Sequence, residues 1–331
     1  MSERVTWLMS VRNSMPFLRE TLASVAAQTY KNYEMLAWDD ASTDGTLEEL
    51  RSWIPSRIPG TIFTGNSFRL GKNLAFLVEQ AQTELCARID GDDVNVPERL
   101  EKQVAHMTAH PEVVALGSQV KLIDAEGQPL AASWNCPLND AEVRWRTRWQ
   151  SGLTHPAVVF RKGAVLRAGN YADVESEDCE LWIRLCPFGE IYNLPDVLLF
   201  YRRHAGTLSA GYTDFFAGQL RSARHAVAHL FPRLTSEQAL ALWQATHPQR
   251  VHGDGPVSLR HIFQLSEAAK LFARSCGKPD NYFKNTPTYE AQAYWLRRRF
   301  LHRRGLSTLA NLGQYVRARV NGTRPPTHNQ A

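Results

Sequence analysis

The first 120 residues alternate short apolar runs with stretches of helical periodicity, and this alternation constrains the fold more than any other property of the chain. Thr6 to Val11 precedes a helical pattern over Phe17 to Ala27, Tyr33 to Trp38 precedes Thr46 to Trp53, and Thr61 to Thr64 precedes Lys72 to Ala81. Leu85 to Ile89 precedes Pro97 to His110, and Val113 to Leu116 follows. Strand and helix at this spacing predict βαβ units, hence an α/β fold with a mostly parallel sheet flanked by helices. Pro16 and Pro97 stand where a first-turn proline is tolerated, with Glu20 and Glu98 placing negative charge near the helix starts. Asp124 to Gly127 predicts a hairpin turn. From about Phe215 the pattern is helical, so the chain divides into a domain over 1–214 and a helical C-terminal region with a basic tail over 215–331. In a parallel α/β sheet, ligands bind beyond the carboxyl ends of the strands.

Composition removes several classes of protein. At 44% hydrophobic and 21% charged residues the chain is globular rather than disordered. No run approaches the roughly 18 residues needed to span a bilayer, and Met1 to Arg4 is polar, so the expected location is the cytoplasm. Cys86, Cys136, Cys179, Cys186 and Cys276 include no C-x-x-C pair, which excludes a zinc knuckle and gives no disulfide framework. The net charge of +5 is local: Ala291 to Ala331 holds eight arginines and no acid.

Three carboxylate clusters sit at or near predicted strand ends or a helix start. In Asp39-Asp40-Ala41-Ser42-Thr43-Asp44-Gly45-Thr46, Asp44 and Thr46 can cap the next helix, or a strand-end carboxylate can accept the N3–H of uracil or thymine. Cytosine presents a lone pair there and is repelled. In Asp90-Gly91-Asp92-Asp93 the acids repel one another, which calls for a cation, and oxygen donors without cysteine suit Mg²⁺ or Mn²⁺ sharing a shell with phosphates. Glu175-Ser176-Glu177-Asp178 precedes a helical pattern and is either a set of helix-dipole partners or the source of a general base.

These clusters occur in order with Ser10-Val11-Arg12-Asn13, Gly71-x-Asn73, Pro97-x-Arg99-Leu100, His155-Pro156 and Leu181-Trp182-x-Arg184-Leu185. The series, spanning residues 4 to 210, resembles family 2 glycosyltransferases of the GT-A fold. The resemblance implies that Ser10, Arg12, Asn13, Asp40, Asn73 and Asp90 bind the nucleotide sugar, that Asp92 holds the metal, and that Asp178 is the general base. It places His204, in Tyr201-Arg202-Arg203-His204-x-x-x-x-Ser209, near the diphosphate or metal. The implied activity is inverting transfer from a nucleotide-diphosphate sugar, UDP-linked in the first instance, to a hydroxyl acceptor in bacterial surface polysaccharide or lipopolysaccharide assembly.

Arg12 departs from the aromatic residue common in that family, and the absence of a Gln-x-x-Arg-Trp motif after Asp178 argues against a processive synthase. His155 reads as an acceptor-site residue or a structural histidine. Trp134, Trp145 and Trp149 read as a sugar platform or as core. A metal-dependent phosphohydrolase or nucleotidyltransferase is an alternative without a Walker-type loop, and a non-catalytic nucleotide-sugar-binding module is another. Nucleic acid is not an expected partner. Residues 294–320 predict basic helices for an anionic membrane surface or lipid-linked acceptor, with Leu296, Phe300 and Leu301 among their apolar residues and Gly305 as a break; packing on the catalytic domain is the rival.

Overall fold

The computed structural model describes residues 3–66, 69–174, 176–207, 235–246 and 259–303. Chain contacts divide it into two compact units, Met1–Ser222 and Ala223–Ala331. The expected boundary at 214/215, Ser209, Glu175 and residues 304–320 lie outside the described residues.

In the first unit, β1 (Val5–Val11), β2 (Tyr33–Asp40), β3 (Gly60–Gly65), β4 (Leu85–Ile89), β5 (Val94–Asn95), β6 (Val113–Ile123), β8 (Val159–Arg161) and β9 (Glu190–Arg202) line up as β3-β2-β1-β4-β8-β6-β9-β5. A further strand, β7 (Pro129–Trp134), pairs with β6. Between strands run α1 (Leu18–Ala26), α2 (Thr46–Trp53), α3 (Leu70–Gln80), α4 (Arg99–Ala109), α5 (Asp140–Thr147), α6 (Lys162–Arg167) and α7 (Glu177–Leu185). Successive β1 side chains point to opposite faces. Val5, Trp7, Met9 and Val11 join Leu18 and Leu22 of α1 and Leu100 and Val104 of α4 in one apolar layer. Leu8 joins Leu74 and Leu77 of α3 and Leu181 and Trp182 of α7 in the other. Helices on both faces explain why the first and fourth strands are apolar almost throughout.

The expected mostly parallel sheet is present in the long pairings, with short antiparallel pairings that make the whole sheet mixed. Pairs β1–β2, β1–β4, β2–β3 and β6–β9 are parallel, while β4–β8, β6–β8, β6–β7 and β5–β9 are antiparallel. Parallel neighbours need a long crossover, and between β6 and β7 there is only the turn at Asp124–Gln128, which closes a hairpin. Pro16 and Pro97 lie just before α1 and α4 rather than inside their first turns; Glu20 is in the first turn of α1, whereas in α4 that place belongs to Glu101. Trp145 and Trp149 are core residues, 0% and 2% exposed.

The second unit contains α8 (Ser236–Thr246), α9 (Leu259–Ser275) and α10 (Pro287–Arg303). Leu242, Leu265, Phe272, Phe283 and Tyr289 are buried, and Phe272 and Phe283 stack with centroids 5.2 Å apart. Leu296 and Phe300, expected as part of a membrane-facing surface, are 0% and 6% exposed, so packing already accounts for them. No helix among the described residues is long and apolar enough to cross a membrane.

Candidate functional site

The carboxyl ends of β1 and β2 are tied together by their loops. Asn13 sits at φ 48° and donates its backbone N–H to Ser42 Oγ at 3.0 Å, while its Oδ1 accepts from the Thr43 N–H at 2.8 Å. Thr46 Oγ1 accepts from the Ser14 N–H at 2.8 Å, and Asp44 accepts from the Met15 N–H at 2.9 Å. Of the expected capping of the next helix only the Thr46 N–H donation to Asp44 at 3.1 Å is present, with Gly45 as the cap residue. Ser42, Asp44 and Thr46 otherwise brace the loop before α1, which leaves Asp40 as the acid facing the α3 side. Strand alternation puts Asp40 on the same face as Trp38, whose indole N–H lies 3.5 Å from Asp40 Oδ1. Ser10 pairs with Trp38 in register, and Asn73 of α3 donates to Ser10 Oγ at 3.1 Å. Ser10, Asp40 and Asn73 thus lie on one face; Asp39 turns to the other and accepts from the Ser42 N–H. Arg12 is exposed on the same loop as Asn13.

The acid loop leaves β4 against this corner. A Cβ on Gly91 would stand 2.6 Å from Val11 Cγ1 and 2.8 Å from Ser14 Oγ, so only glycine permits the approach. Asp90 pairs with the fully buried guanidinium of Arg88. Asp92 Oδ2 lies 3.0 Å from His204 Nε2, and the Gly206 N–H donates to His204 Nδ1, so the neutral imidazole carries its proton on Nε2 and donates to Asp92. Burial pushes the Asp92 carboxyl up, and the Asp90 charge adds to this against the opposing contact with His204. Asp93 is 1% exposed and is pushed well up by burial and by its two acidic neighbours. Arg202 holds the loop from behind: its backbone N–H donates to Asp93 and its Nε to the Asp92 carbonyl at 2.8 Å, its Nη1 reaches the Asp124 and Ala125 carbonyls, and its guanidinium pairs with Glu20.

Glu177 at the start of α7, His155 and Tyr171 share the field of Arg88. Glu177 is 5% exposed, and its carboxyl is pushed up to about 8, first by burial, then by the Asp178 charge, against the opposing charge of Arg88. His155 is held well below the ordinary imidazole value by burial and then by Arg88, so its 3.6 Å approach to Glu177 is a neutral contact rather than an ion pair. Its Nε2 meets the Tyr171 hydroxyl at 2.9 Å, which gives His155 a structural role. Asp178 is half-buried, receives the Ser151 hydroxyl at 3.4 Å, and is raised by burial against hydrogen bonds from Cys179 and Ser151. A Cβ on Gly71 would stand 2.2 Å from the Ala172 carbonyl, so α3 comes tight against the segment leading into α7. Asp90, Asp92 and Asp178 keep partial exposure while Asp93 and Glu177 are enclosed.

The raised Glu177 carboxyl predicts a pH effect. Its folded value of about 8 exceeds the ordinary 4.5, so its favourable contribution is complete below about pH 4.5 and is lost as pH rises through 8. Glu177→Gln should therefore flatten the fall in melting temperature between pH 5 and pH 8 relative to wild type. Parallel profiles for the two proteins would contradict it.

Arg88 and Arg99 were not singled out as site residues by sequence, although Arg88 interrupts an apolar run two positions before the acids. Arg99 is also fully buried, donating to Asn95 Oδ1 at 2.6 Å and to the Arg88 carbonyl at 2.9 Å, and burial followed by Arg88 lowers its guanidinium to about 9.

A sequence match to glycosyl transferase family 2 covers residues 6–167. The amylovoran biosynthesis glycosyltransferase AmsE of Erwinia amylovora is 33% identical over 185 residues, covering 55% of this chain and 69% of that protein. The chain is a family 2 glycosyltransferase. The transferase is also 26% identical over 207 residues to the O-antigen biosynthesis glycosyltransferase WbnJ of Escherichia coli, covering 61% of this chain and 80% of that protein. In fold it is similar to S. aureus TarS 1-349 in complex with UDP-GlcNAc, with TM-score 0.62, 18% identity, and coverage of 98% and 93% of the two chains. The mannosyltransferase PcManGT from Pyrobaculum calidifontis, in complex with GDP-Man and Mn²⁺, aligns with TM-score 0.54 and 18% identity over 91% and 88%. The expected GT-A architecture with a helical C-terminal region is thus the observed one.

Proposed function

We propose that this transferase moves a sugar from a nucleoside-diphosphate donor, UDP-linked before GDP-linked, to a saccharide hydroxyl in one inverting displacement, in the assembly of a bacterial surface polysaccharide. The observation that carries the reading is the convergence on Arg88 of the Asp90–Asp93 loop and the start of α7: the first supplies acids for a donor diphosphate, the second a raised carboxylate for the acceptor proton. The names of AmsE and WbnJ support a polysaccharide product, and the TarS and PcManGT complexes support a nucleotide-sugar donor.

In this reading Ser10, Arg12, Asn13, Asp40 and Asn73 receive the nucleotide, with Asp40 accepting a ring N–H that uracil and guanine offer and cytosine lacks. Asp90, oriented by Arg88, faces the ribose. Among the described residues no three acidic, histidine or cysteine side chains form a ready-made metal group. An Asp92 oxygen and an imidazole nitrogen 3.0 Å apart nevertheless suit Mg²⁺ or Mn²⁺, ions that complete their shell with phosphate and water. Asp92 would be the first ligand, and His204 could join through Nε2 as the neutral tautomer with its proton on Nδ1, giving up the contact from the Gly206 N–H. When bound, the ion supplies charge neutralisation at the diphosphate. Asp178 takes the proton of the attacking hydroxyl, while Ser151 and the Cys179 amide orient its carboxylate. Membership of the glycosyltransferase family leaves the phosphohydrolase, nucleotidyltransferase and binding-module alternatives without an observation of their own.

The test is nucleoside diphosphate release from UDP-, dTDP- and GDP-sugars, with CMP release from CMP-sugars as the comparison, in Mn²⁺ and acceptor extract. Release from a UDP-, dTDP- or GDP-sugar and none from a CMP-sugar is expected; release only from a CMP-sugar overturns the reading. The peripheral membrane proposal now falls to the arginines of α10 and to residues 304–320. Salt-sensitive sedimentation with anionic but not neutral vesicles is expected, and equal recovery in the supernatant would end it.

A further inference from the structure

Trp134 closes β7 and Tyr201 lies near the end of β9, and their rings meet edge to face with centroids 5.5 Å apart. Both are half-buried, resting on one side against the apolar layer shared with α1 and α4. The indole N–H and the phenol O–H have no hydrogen-bond partner among the described residues, yet neither is among the polar atoms sealed from solvent. Trp145 and Trp149, the other two members of the expected aromatic platform, are enclosed in the core.

The pair lies beside the acid loop. Tyr201 follows Phe200, the register partner of Val94 in β5, which places it beside the acid loop; burial and then the charges of Asp93, Asp90 and Asp92 push its phenol up. Trp134 stands two residues before Cys136, whose Sγ lies 3.4 Å from Thr154 Oγ1. The segment containing Thr154 also carries Ser151, the partner of Asp178. In sheet order β9 lies on the opposite side of β4 from β1 and β2, away from the corner assigned to the nucleotide.

We propose that Trp134 and Tyr201 form an acceptor subsite beside the acid loop that stacks a pyranose ring of the saccharide. The inference rests on the saccharide-acceptor reading above. Aromatic side chains offer a wide apolar surface for the C–H face of a sugar, and their N–H and O–H at the rim can pair with its hydroxyls.

Saturation-transfer NMR with methyl and p-nitrophenyl glycosides of glucose, galactose and N-acetylglucosamine tests this on the full chain, alongside calorimetry of UDP with Mn²⁺. Wild type should bind at least one glycoside, Trp134→Ala should weaken that binding at least about tenfold, and Trp134→Phe should restore most of it. Tyr201→Phe should weaken it by less than Trp134→Ala. UDP affinity and melting temperature should change little in Trp134→Phe and Tyr201→Phe. Glycoside binding equal in wild type and Trp134→Ala, or absent from wild type, overturns the subsite. Failure of UDP to bind wild type counts against the donor reading, whereas loss of glycoside binding in Trp134→Ala still supports the subsite.

Discussion

Replacing Asp178 with Asn is expected to lower turnover by at least about 10²-fold while donor affinity stays within about twofold of wild type. Asparagine keeps the volume of the side chain and can still accept from the Ser151 hydroxyl, so the start of α7 has little reason to move. What it cannot do is take a proton. The carboxyl of Asp178 is raised by burial, which brings it nearer to the value that suits a base working around neutral pH. Steady-state turnover measured together with calorimetric donor binding separates chemistry from recognition. Near-normal turnover would return Asp178 to the role of a helix-dipole partner.

Asp92→Ala is expected to abolish metal-dependent donor binding, a loss of at least about 10²-fold in Mn²⁺, without lowering the melting temperature at pH 8. The two expectations follow from one cause. Burial and the neighbouring Asp90 charge disfavour the ionised Asp92 in the native protein. Because its folded value is raised, that cost appears as pH rises above the ordinary carboxylate value, and removing the carboxylate removes it. A cation relieves the same repulsion, which is why the loop should bind one. A variant that binds Mn²⁺ and donor as wild type does would move the metal elsewhere. A variant that unfolds would show that the loop is structural first.

Much of the first half of the fold is legible in the sequence because each element there carries a single clear period. Thr46 to Trp53 is predicted and observed as the same helix, and Leu85 to Ile89 as the same strand. Both faces of the sheet are covered, so apolar runs bounded by turn residues mark strands cleanly. Later elements are less legible for physical reasons. β9 contains Pro195 and Asp196 and shifts register against β6, so its thirteen residues read as pieces. β5 is two residues long and is ordered by pairing with a strand about a hundred positions away. Local pattern cannot announce such a partner.

The sequence marks the acidic clusters but not the cations that organise them. Asp40, Asp90, Asp92 and Asp178 are legible as clusters after strands or before a helix. Arg88 and Arg202 work from behind, and only the fold shows that one guanidinium faces Asp90 and Glu177 while the other ties the acid loop to α1 and the β6–β7 turn. Asn13 is the converse case. Chosen as a nucleotide contact, it has its side-chain carbonyl occupied by the Thr43 amide, so it contributes to the site first through the shape of the loop.

The most direct test of the central claim is calorimetry of UDP binding to the wild-type transferase, with Mn²⁺ and then with excess chelator, using CMP as the comparison. The account predicts UDP binding in Mn²⁺, a drop of at least about tenfold in chelator, and weak binding of CMP in both. Equal UDP affinity with and without the metal, or CMP binding as tightly as UDP, would contradict a nucleotide site built from Asp40 and an Asp92-held cation.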